Sequence, residues 1–318
     1  MVKNIKGFFE HVEEANSICI FGHVRPDGDA YGSAMGLKLA LDFLYPSKSI
    51  YAVVDPVSVV PDGLPLAKKP GSLPLDVIKK SLCITVDTPT VARICDPRAL
   101  QGAEVIKIDH HPLVEHFGDI EMIDETKVSC SLIIAMILFS MFPVISPAAA
   151  ECLLLGLITD SGSFRFTADP DAYTIAGRLI SNGANIQRIY DKLNTTSLDG
   201  LKQKGEILSA IETSGIVAYE IFDKCRLSKM GLTADQAAPR VNTIGNTQEC
   251  PIWAFFAQYP NGKFRAEFRC TRDYDVSSVA LALGGGGHAQ ASGAQLDDLT
   301  AVKKAIRLLS ALVPSTRS

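Results

Sequence analysis

The chain of 318 residues has no Cys-x-x-Cys pair. Its eight cysteines occur singly, and Cys19, Cys83 and Cys152 sit inside apolar runs, where a free thiol behaves as a small hydrophobe. That excludes a paired-thiolate zinc knuckle and suits a cytoplasmic protein. Positive charge is also scarce: 31 Lys and Arg against 35 Asp and Glu leave a net charge of −4. A long nucleic-acid track needs many cations on phosphates, so that partner is not expected. A short phosphorylated ligand stays open, because bound metal can supply the missing positive charge. No apolar core follows Met1, so no signal peptide is expected. Val128 to Ala150 is uncharged and long enough to span a bilayer, but four serines dilute it and Pro143 and Pro147 interrupt it. It reads as a buried helix followed by a loop, and no membrane partner is expected. There is no internal repeat and no low-complexity tract.

What the chain does have is a set of hydrophobic runs that break off in Asp and His. Ser17 to Gly22 runs into His23, Arg25-Pro-Asp27 and Asp29; Leu82 to Val86 ends at Asp87; Val105 to Ile108 ends at Asp109, His110 and His111. Short β-branched runs of this kind read as buried parallel strands. Open α/β sheets bind ligands beyond the carboxyl ends of their strands. Glu151 to Ile158 is a further buried apolar run, making Asp160 a fourth acidic terminus.

Strand-like and helix-like segments alternate up to about residue 190, the pattern of a doubly wound, mainly parallel sheet. Gly28 to Leu44 reads as a turn and helix, Ile50 to Val54 as a strand, and 172–179 and 186–193 as helices. Ser197 to Thr213 reads as a connecting helix, with Leu201, Leu208 and Ile211 on one face. Beyond it, Gly215 to Phe222 reads as a strand, and Ile252 to Tyr259 and Phe264 to Arg269 flank Pro260-Asn-Gly, a hairpin signal. A helix over 276–283, a glycine run at Gly284 to Gly287 and a last helix over 301–312 complete a smaller α/β domain. The fold class is therefore α/β throughout, in two domains.

Each constellation has a plainer explanation. Pro26 and Gly28 impose a tight turn that can aim His23, Asp27 and Asp29 into one volume, although Asp27 could equally cap the helix that follows. Asp87 and Asp160 could be turn residues, and Asp109-His110-His111 a solvated loop. Their joint occurrence at run ends favours ligation. Carboxylates and imidazoles without thiolates suit Mn²⁺- or Mg²⁺-like chemistry. Four Asp and two His exceed what one ion needs, and a carboxylate bridging two ions would activate water for in-line attack on phosphorus. The glycine run lets backbone N–H groups approach an anion beside His288, but the residues before it look helical, so it does not fit a dinucleotide fingerprint. Arg265 and Arg269 alternate on one strand face and read as a phosphate clamp or a solvated edge.

Taken together, the His-Val-Arg-Pro-Asp-Gly-Asp stretch at His23, Val-Asp-Thr at Asp87, Asp-His-His at Asp109, Thr-Asp-Ser-Gly at Asp160 and Gly-Gly-Gly-Gly-His ending at His288 resemble the DHH phosphoesterase superfamily. The likeness is to its DHH–DHHA1 branch of NrnA-type nanoRNases and pAp phosphatases, and it covers nearly the whole chain in order. It implies a DHH catalytic domain over 1–190, a linker helix over 191–213 and a substrate-binding DHHA1 domain over 214–318, with a cleft between the domains. It further implies two divalent cations, Mn²⁺ first with Mg²⁺ or Co²⁺ as alternatives. His23, Asp27 and Asp87 would hold one, and Asp29, Asp87, His110 and Asp160 the other. Asp109 would orient the His pair, and His111 would face the scissile phosphate. Arg269, Gly286, Gly287 and His288 match positions that grip the nucleotide. Two departures stand out: Cys270 where relatives commonly carry Ser, and Pro89 in the loop after Asp87.

The function implied is hydrolysis of very short oligonucleotides to mononucleotides, of pAp to AMP, or both. A cyclic- or linear-dinucleotide phosphodiesterase is the alternative within the same chemistry. A pyrophosphatase or exopolyphosphatase fits less well, since no dense Lys/Arg cluster is apparent for a polyanion, as does an inactive nucleotide sensor. The substrate is the expected partner, and a homodimer is compatible with the sequence.

Overall fold

Five short aliphatic runs form the first sheet: β1 (Ser17–Phe21), β2 (Ser49–Val53), β3 (Leu82–Val86), β4 (Glu104–Asp109) and β5 (Ile120–Ile123). They pair in the order β2-β1-β3-β4-β5, and every pair is parallel. The computed structural model describes residues 5–271 and 273–314, and the chain divides into two compact units, Met1–Thr195 and Thr196–Ser318. In the first unit the helices are α1 (Ile5–Glu14), α2 (Gly28–Leu44), α3 (Leu75–Lys79), α4 (Cys130–Met141), α5 (Pro147–Asp160), α6 (Pro170–Ser181) and α7 (Ile186–Asn194). Both sheet faces are covered, as a parallel sheet requires. Ile18, Ile20, Ile84, Ile106 and Ile108 pack against residues of α1, α2, α4 and α5 on one side, while Cys19, Phe21, Cys83 and Val105 pack against Ile78 and Ala99 on the other. This is the doubly wound α/β arrangement expected from the strand and helix alternation.

Val128 to Ala150 holds α4, a loop over 142–146 and the first turn of α5; among the described residues no helix is long and apolar enough to cross a membrane. The apolar run Glu151 to Ile158 is helical, the body of α5, and Asp160 is the last residue of that helix rather than the residue after a strand. An apolar run bounded by turn residues has no periodicity that separates strand from helix when all sides are buried, and Glu151 to Ile158 are all buried.

The contact of α2 with α5 sets much of the site. Gly28, Gly32 and Gly36 lie one turn apart on α2. A Cβ on Gly28 would stand 2.8 Å from Thr159 Cβ, on Gly32 2.5 Å from the Cys152 carbonyl oxygen, and on Gly36 2.7 Å from Leu153 Cδ2. Gly28 is thus required by this close approach. The turn before it takes its left-handed residue from Arg25, at φ 55°.

The second unit is built on a six-stranded sheet of β6 (Glu212–Ser214), β7 (Val217–Phe222), β8 (Ile252–Gln258), β9 (Phe264–Cys270), β10 (Gly286–His288) and β11 (Ala291–Leu296), in the order β10-β11-β9-β8-β7-β6. Only β7 with β8 is parallel. The β8–β9 hairpin turns at Pro260-Asn-Gly, with Gly262 at φ 93°. Helices α8 (Leu198–Ser209), α9 (Lys224–Met230) and α10 (Ala234–Ala237) accompany this unit, followed by α11 (Ser277–Ala282) and α12 (Leu299–Ser310). One face packs Phe256 and Phe268 with Val279 and Ile306. The other packs Trp253 and Phe255 with Val241 and with Ile207 of α8. The end of the glycine run is strand β10, at the edge of this sheet.

Candidate metal centre

Because β1, β3 and β4 are adjacent and parallel, the residues beyond their carboxyl ends emerge on the same sheet edge. The Asp87 amide donates to the Ile108 carbonyl (3.0 Å), extending the ladder by one residue, and then φ of 56° turns the chain away. Asp tolerates this left-handed conformation better than most residues. Its carboxylate meets both neighbouring strand ends: Oδ2 lies 3.4 Å from His23 Nε2, and Oδ1 lies 3.4 Å from His110 Nε2 and 3.6 Å from His111 Nδ1. His23 Nε2 is 3.8 Å from Asp27 Oδ2, and His110 Nε2 is 3.3 Å from Asp160 Oδ2. Three ligand-capable groups result: His23 with Asp27 and Asp87, Asp29 with His110 and Asp160, and Asp87 with His110 and His111.

Asp27 caps the helix and is also placed for the second role that the sequence left open. Its Oδ1 caps α2, accepting from the amides of Asp29 and Ala30 at 3.0 Å each, while Oδ2 faces His23. Asp29 is fully buried and sits at the N-terminus of α4, accepting from the amides of Cys130 (2.7 Å) and Ser131 (2.9 Å). Backbone N–H groups and the helix dipole there favour a carboxylate. Burial, and then the charge of Asp87, nevertheless push its pKa up to about 7. Burial alone would also raise Asp87, but the neighbouring His110 and His23 imidazoles hold it below the usual carboxylate range. The same pairings overcome burial at the imidazoles: Asp27 and Asp87 raise His23, and Asp87 with Asp29 raises His110, each to about 10. The cluster is a well of negative potential that draws cations.

Several features fit this donor set to metal ions. The N···O spacings of 3.3–3.8 Å exceed the ~2.7–2.9 Å of charge-assisted hydrogen bonds, and ligands at ~2.1 Å from a shared ion stand about 3 Å or more apart. Asp87 Oδ1 is buried with no hydrogen-bond partner among the described residues. Both histidines turn Nδ1 to a backbone carbonyl, His23 to Val24 (2.9 Å) and His110 to Lys127 (3.3 Å). At His110 that contact favours a proton on Nδ1 and leaves Nε2 available as a ligand. His111 is held differently. Asp109, itself buried, accepts at Oδ1 from the amides of His110 (2.9 Å) and His111 (3.3 Å) and lies 2.8 Å from His111 Nδ1.

Sequence reasoning missed several participants. Arg93 approaches His23 Nδ1 at 3.2 Å, and residues 23–24 pair with 93–94, so the loop after β3 braces the first motif. The α4 N-terminus under Asp29 was readable, because Ser129 caps that helix ahead of an apolar run. In the second unit, Glu267 alternates between Arg265 and Arg269 and pairs with both, at 2.7 and 3.2 Å, so this face of β9, an inner strand of the sheet, is a charge-paired row. Arg269 and His288 both stand opposite Ala291 in register, one on each side. They therefore share a sheet face with a small residue between them. Gly286 and Gly287 extend the same strand, Gly287 at φ 135°, with no room for a Cβ against Ser292. Cys270 falls on the opposite face; its thiol is buried and its single S–H has the carbonyls of Tyr274 and Ala289 as alternative acceptors.

Comparison with known proteins adds the lineage. The DHH family N-terminal domain matches residues 17–157 and the DHHA1 domain matches residues 214–314. The chain belongs to the DHH phosphoesterase family, in its DHHA1 branch. It is 32% identical over 286 residues to the bifunctional oligoribonuclease and PAP phosphatase NrnA of Bacillus subtilis (strain 168), covering 88% of this chain and 90% of that protein. Identity to the protein of the same name from Mycoplasma pneumoniae is 31% over 291 residues, 90% of this chain and 89% of the relative. Among solved structures, an exopolyphosphatase-related protein from Bacteroides fragilis superposes with a TM-score of 0.84 at 25% identity, over 98% of each chain. As a DHH phosphoesterase, this protein is a metal-dependent hydrolase.

Proposed function

We propose that the chain is a Mn²⁺-dependent phosphoesterase that hydrolyses very short oligonucleotides to mononucleotides and removes phosphate from pAp. The observation that carries this reading is the position of Asp87 between two ligand groups, with one carboxylate oxygen toward His23 and the other toward His110. His23, Asp27 and Asp87 would hold one ion, and Asp29, Asp87, His110 and Asp160 the other. Two such ions would lower the pKa of water, supply a nucleophile and neutralise charge on the phosphoryl oxygens. Asp109 fixes the His111 ring, which then acts as hydrogen-bond donor or acid toward the phosphate. Arg269 and His288, with the backbone of Gly286 and Gly287, bind the rest of the nucleotide. The named activities of the Bacillus and Mycoplasma relatives support this substrate class. The eight thiols are all free, which suits a cytoplasmic enzyme.

Enzyme stripped with a chelator and reloaded with Mn²⁺, Mg²⁺, Co²⁺ or Zn²⁺ is assayed on a dinucleotide, pAp, a cyclic dinucleotide and pyrophosphate. The expected outcome is no turnover when stripped, best recovery with Mn²⁺, and preference for the linear dinucleotide and pAp. Full activity of stripped enzyme, or preference for pyrophosphate or the cyclic compound, would overturn the proposal.

A further inference from the structure

Lys107 lies in the middle of β4, and its side chain is wholly buried. No ion pair to a carboxylate is recorded for it among the described residues. Nζ instead donates to two backbone carbonyls, Pro89 at 3.1 Å and Glu115 at 3.0 Å, and stands 4.6 Å from the centroid of the Phe117 ring. A buried ammonium without a counter-charge is costly, and an aliphatic residue at this strand position would avoid the cost. The two carbonyls locate the benefit. Pro89 is two residues beyond Asp87, and Glu115 follows His110 and His111 in the next loop.

The surroundings are shaped for this contact. Gly118 lets the returning segment pass close over β4, since a Cβ there would stand 3.1 Å from the Lys107 backbone nitrogen and 3.2 Å from its Cβ. The Glu115 carboxylate also accepts from the Val91 amide at 2.9 Å, a second tie between the same two loops. By strand alternation Lys107 shares its face with Asp109, which holds His111. We infer that Lys107 is a positioning residue: by clamping the loop after Asp87 to the loop after His111, it fixes the separation of the Asp87 carboxylate from the His110 and His111 imidazoles. This rests on the reading of Asp87 and His110 as metal ligands.

The test is Lys107→Met, which keeps the stem and removes the donor, with Pro89→Gly as a milder lesion that keeps the accepting carbonyl but frees the backbone that holds it in place. Two quantities are read: the Mn²⁺ midpoint for activation on a small aryl phosphodiester, and the melting temperature without and with Mn²⁺. Outer-shell groups of metal sites change affinity by roughly 10- to 100-fold. Lys107→Met is expected to raise the Mn²⁺ midpoint about tenfold and to shrink the Mn²⁺-induced rise in melting temperature, and Pro89→Gly to do both to a smaller degree. A lower melting temperature in both states with an unchanged Mn²⁺ midpoint would make Lys107 a structural prop and overturn the inference. If Lys107→Met does not fold, Pro89→Gly decides by the same criterion. Wild-type enzyme indifferent to Mn²⁺ would instead strike at the metal reading, which separates the two failures.

Discussion

Asp87 is where three constraints meet: a left-handed backbone, burial, and two imidazoles that approach from the two neighbouring strands. Asn is the informative replacement, because it accepts the same backbone conformation and the same volume while removing the charge. Turnover by Asp87→Asn is expected to fall roughly a thousandfold or more, ~4 kcal/mol in barrier, and bound metal per chain should drop. The metal-free protein should melt below wild type near neutral pH, since the lowered pKa of Asp87 marks a carboxylate that His23 and His110 stabilise, and Asn leaves those raised imidazoles without its charge. Wild-type-like hydrolysis by this variant would remove Asp87 from the centre of the chemistry. At this scale much was legible. His23, Asp27, Asp29, Asp87, His110 and Asp160 announce themselves as polar residues at the ends of apolar runs, and the structure brings them together in overlapping groups. Lys107, Arg93 and Glu267 were not legible, because their significance lies in partners that are distant in sequence or in strand-face geometry that a residue list does not display.

At the scale of elements, β1, β3 and β4 could be read from β-branched runs with polar ends, but the helix that delivers Asp160 could not be told from a strand. What places Asp160 is the seam between α2 and α5, lined by Gly28, Gly32 and Gly36 and continued by Gly156. The four-residue glycine spacing on α2 was the available signal. A Cβ on Gly156 would press on Ser131 and stand 2.7 Å from Asp29 Oδ1. Gly156→Ala should therefore cost about 1–3 kcal/mol, the scale of overpacking a close-packed interior, and should also weaken Mn²⁺ activation by displacing Asp29. Gly177→Ala in α6 is the control. Nothing lies within 4 Å of its Cβ position, so the better helix propensity of Ala should leave the melting temperature unchanged or raise it by up to ~1 kcal/mol equivalent. If calorimetry shows equal losses for both, helix seam packing is not what Gly156 serves.

At the scale of the molecule, the two units carry different chemistry. Every three-residue ligand group found among the described residues lies in the first unit, whereas the second offers a charge-paired face on β9, a glycine-bearing edge strand, and Arg269 and His288 flanking Ala291 on one face. Under the proposed function, a unit of that kind would contribute binding energy from parts of the substrate that do not react, and such energy separates substrates without touching the bond that breaks. Arg269→Ala and His288→Ala should each lower kcat/KM for a dinucleotide or pAp by roughly 10- to 100-fold, the scale of a lost hydrogen bond to a charged group. Arg269→Ala also removes one of the two arginines that pair with Glu267, lowering the positive charge available to a phosphate, so its effect should be the larger and should diminish at high salt. A small aryl phosphodiester has no distal nucleotide, and its hydrolysis should change by less than about threefold on the same reasoning. Equal losses on both substrates would mean that these residues act at the metal centre or hold the fold, and the division of labour between the units would have to be abandoned.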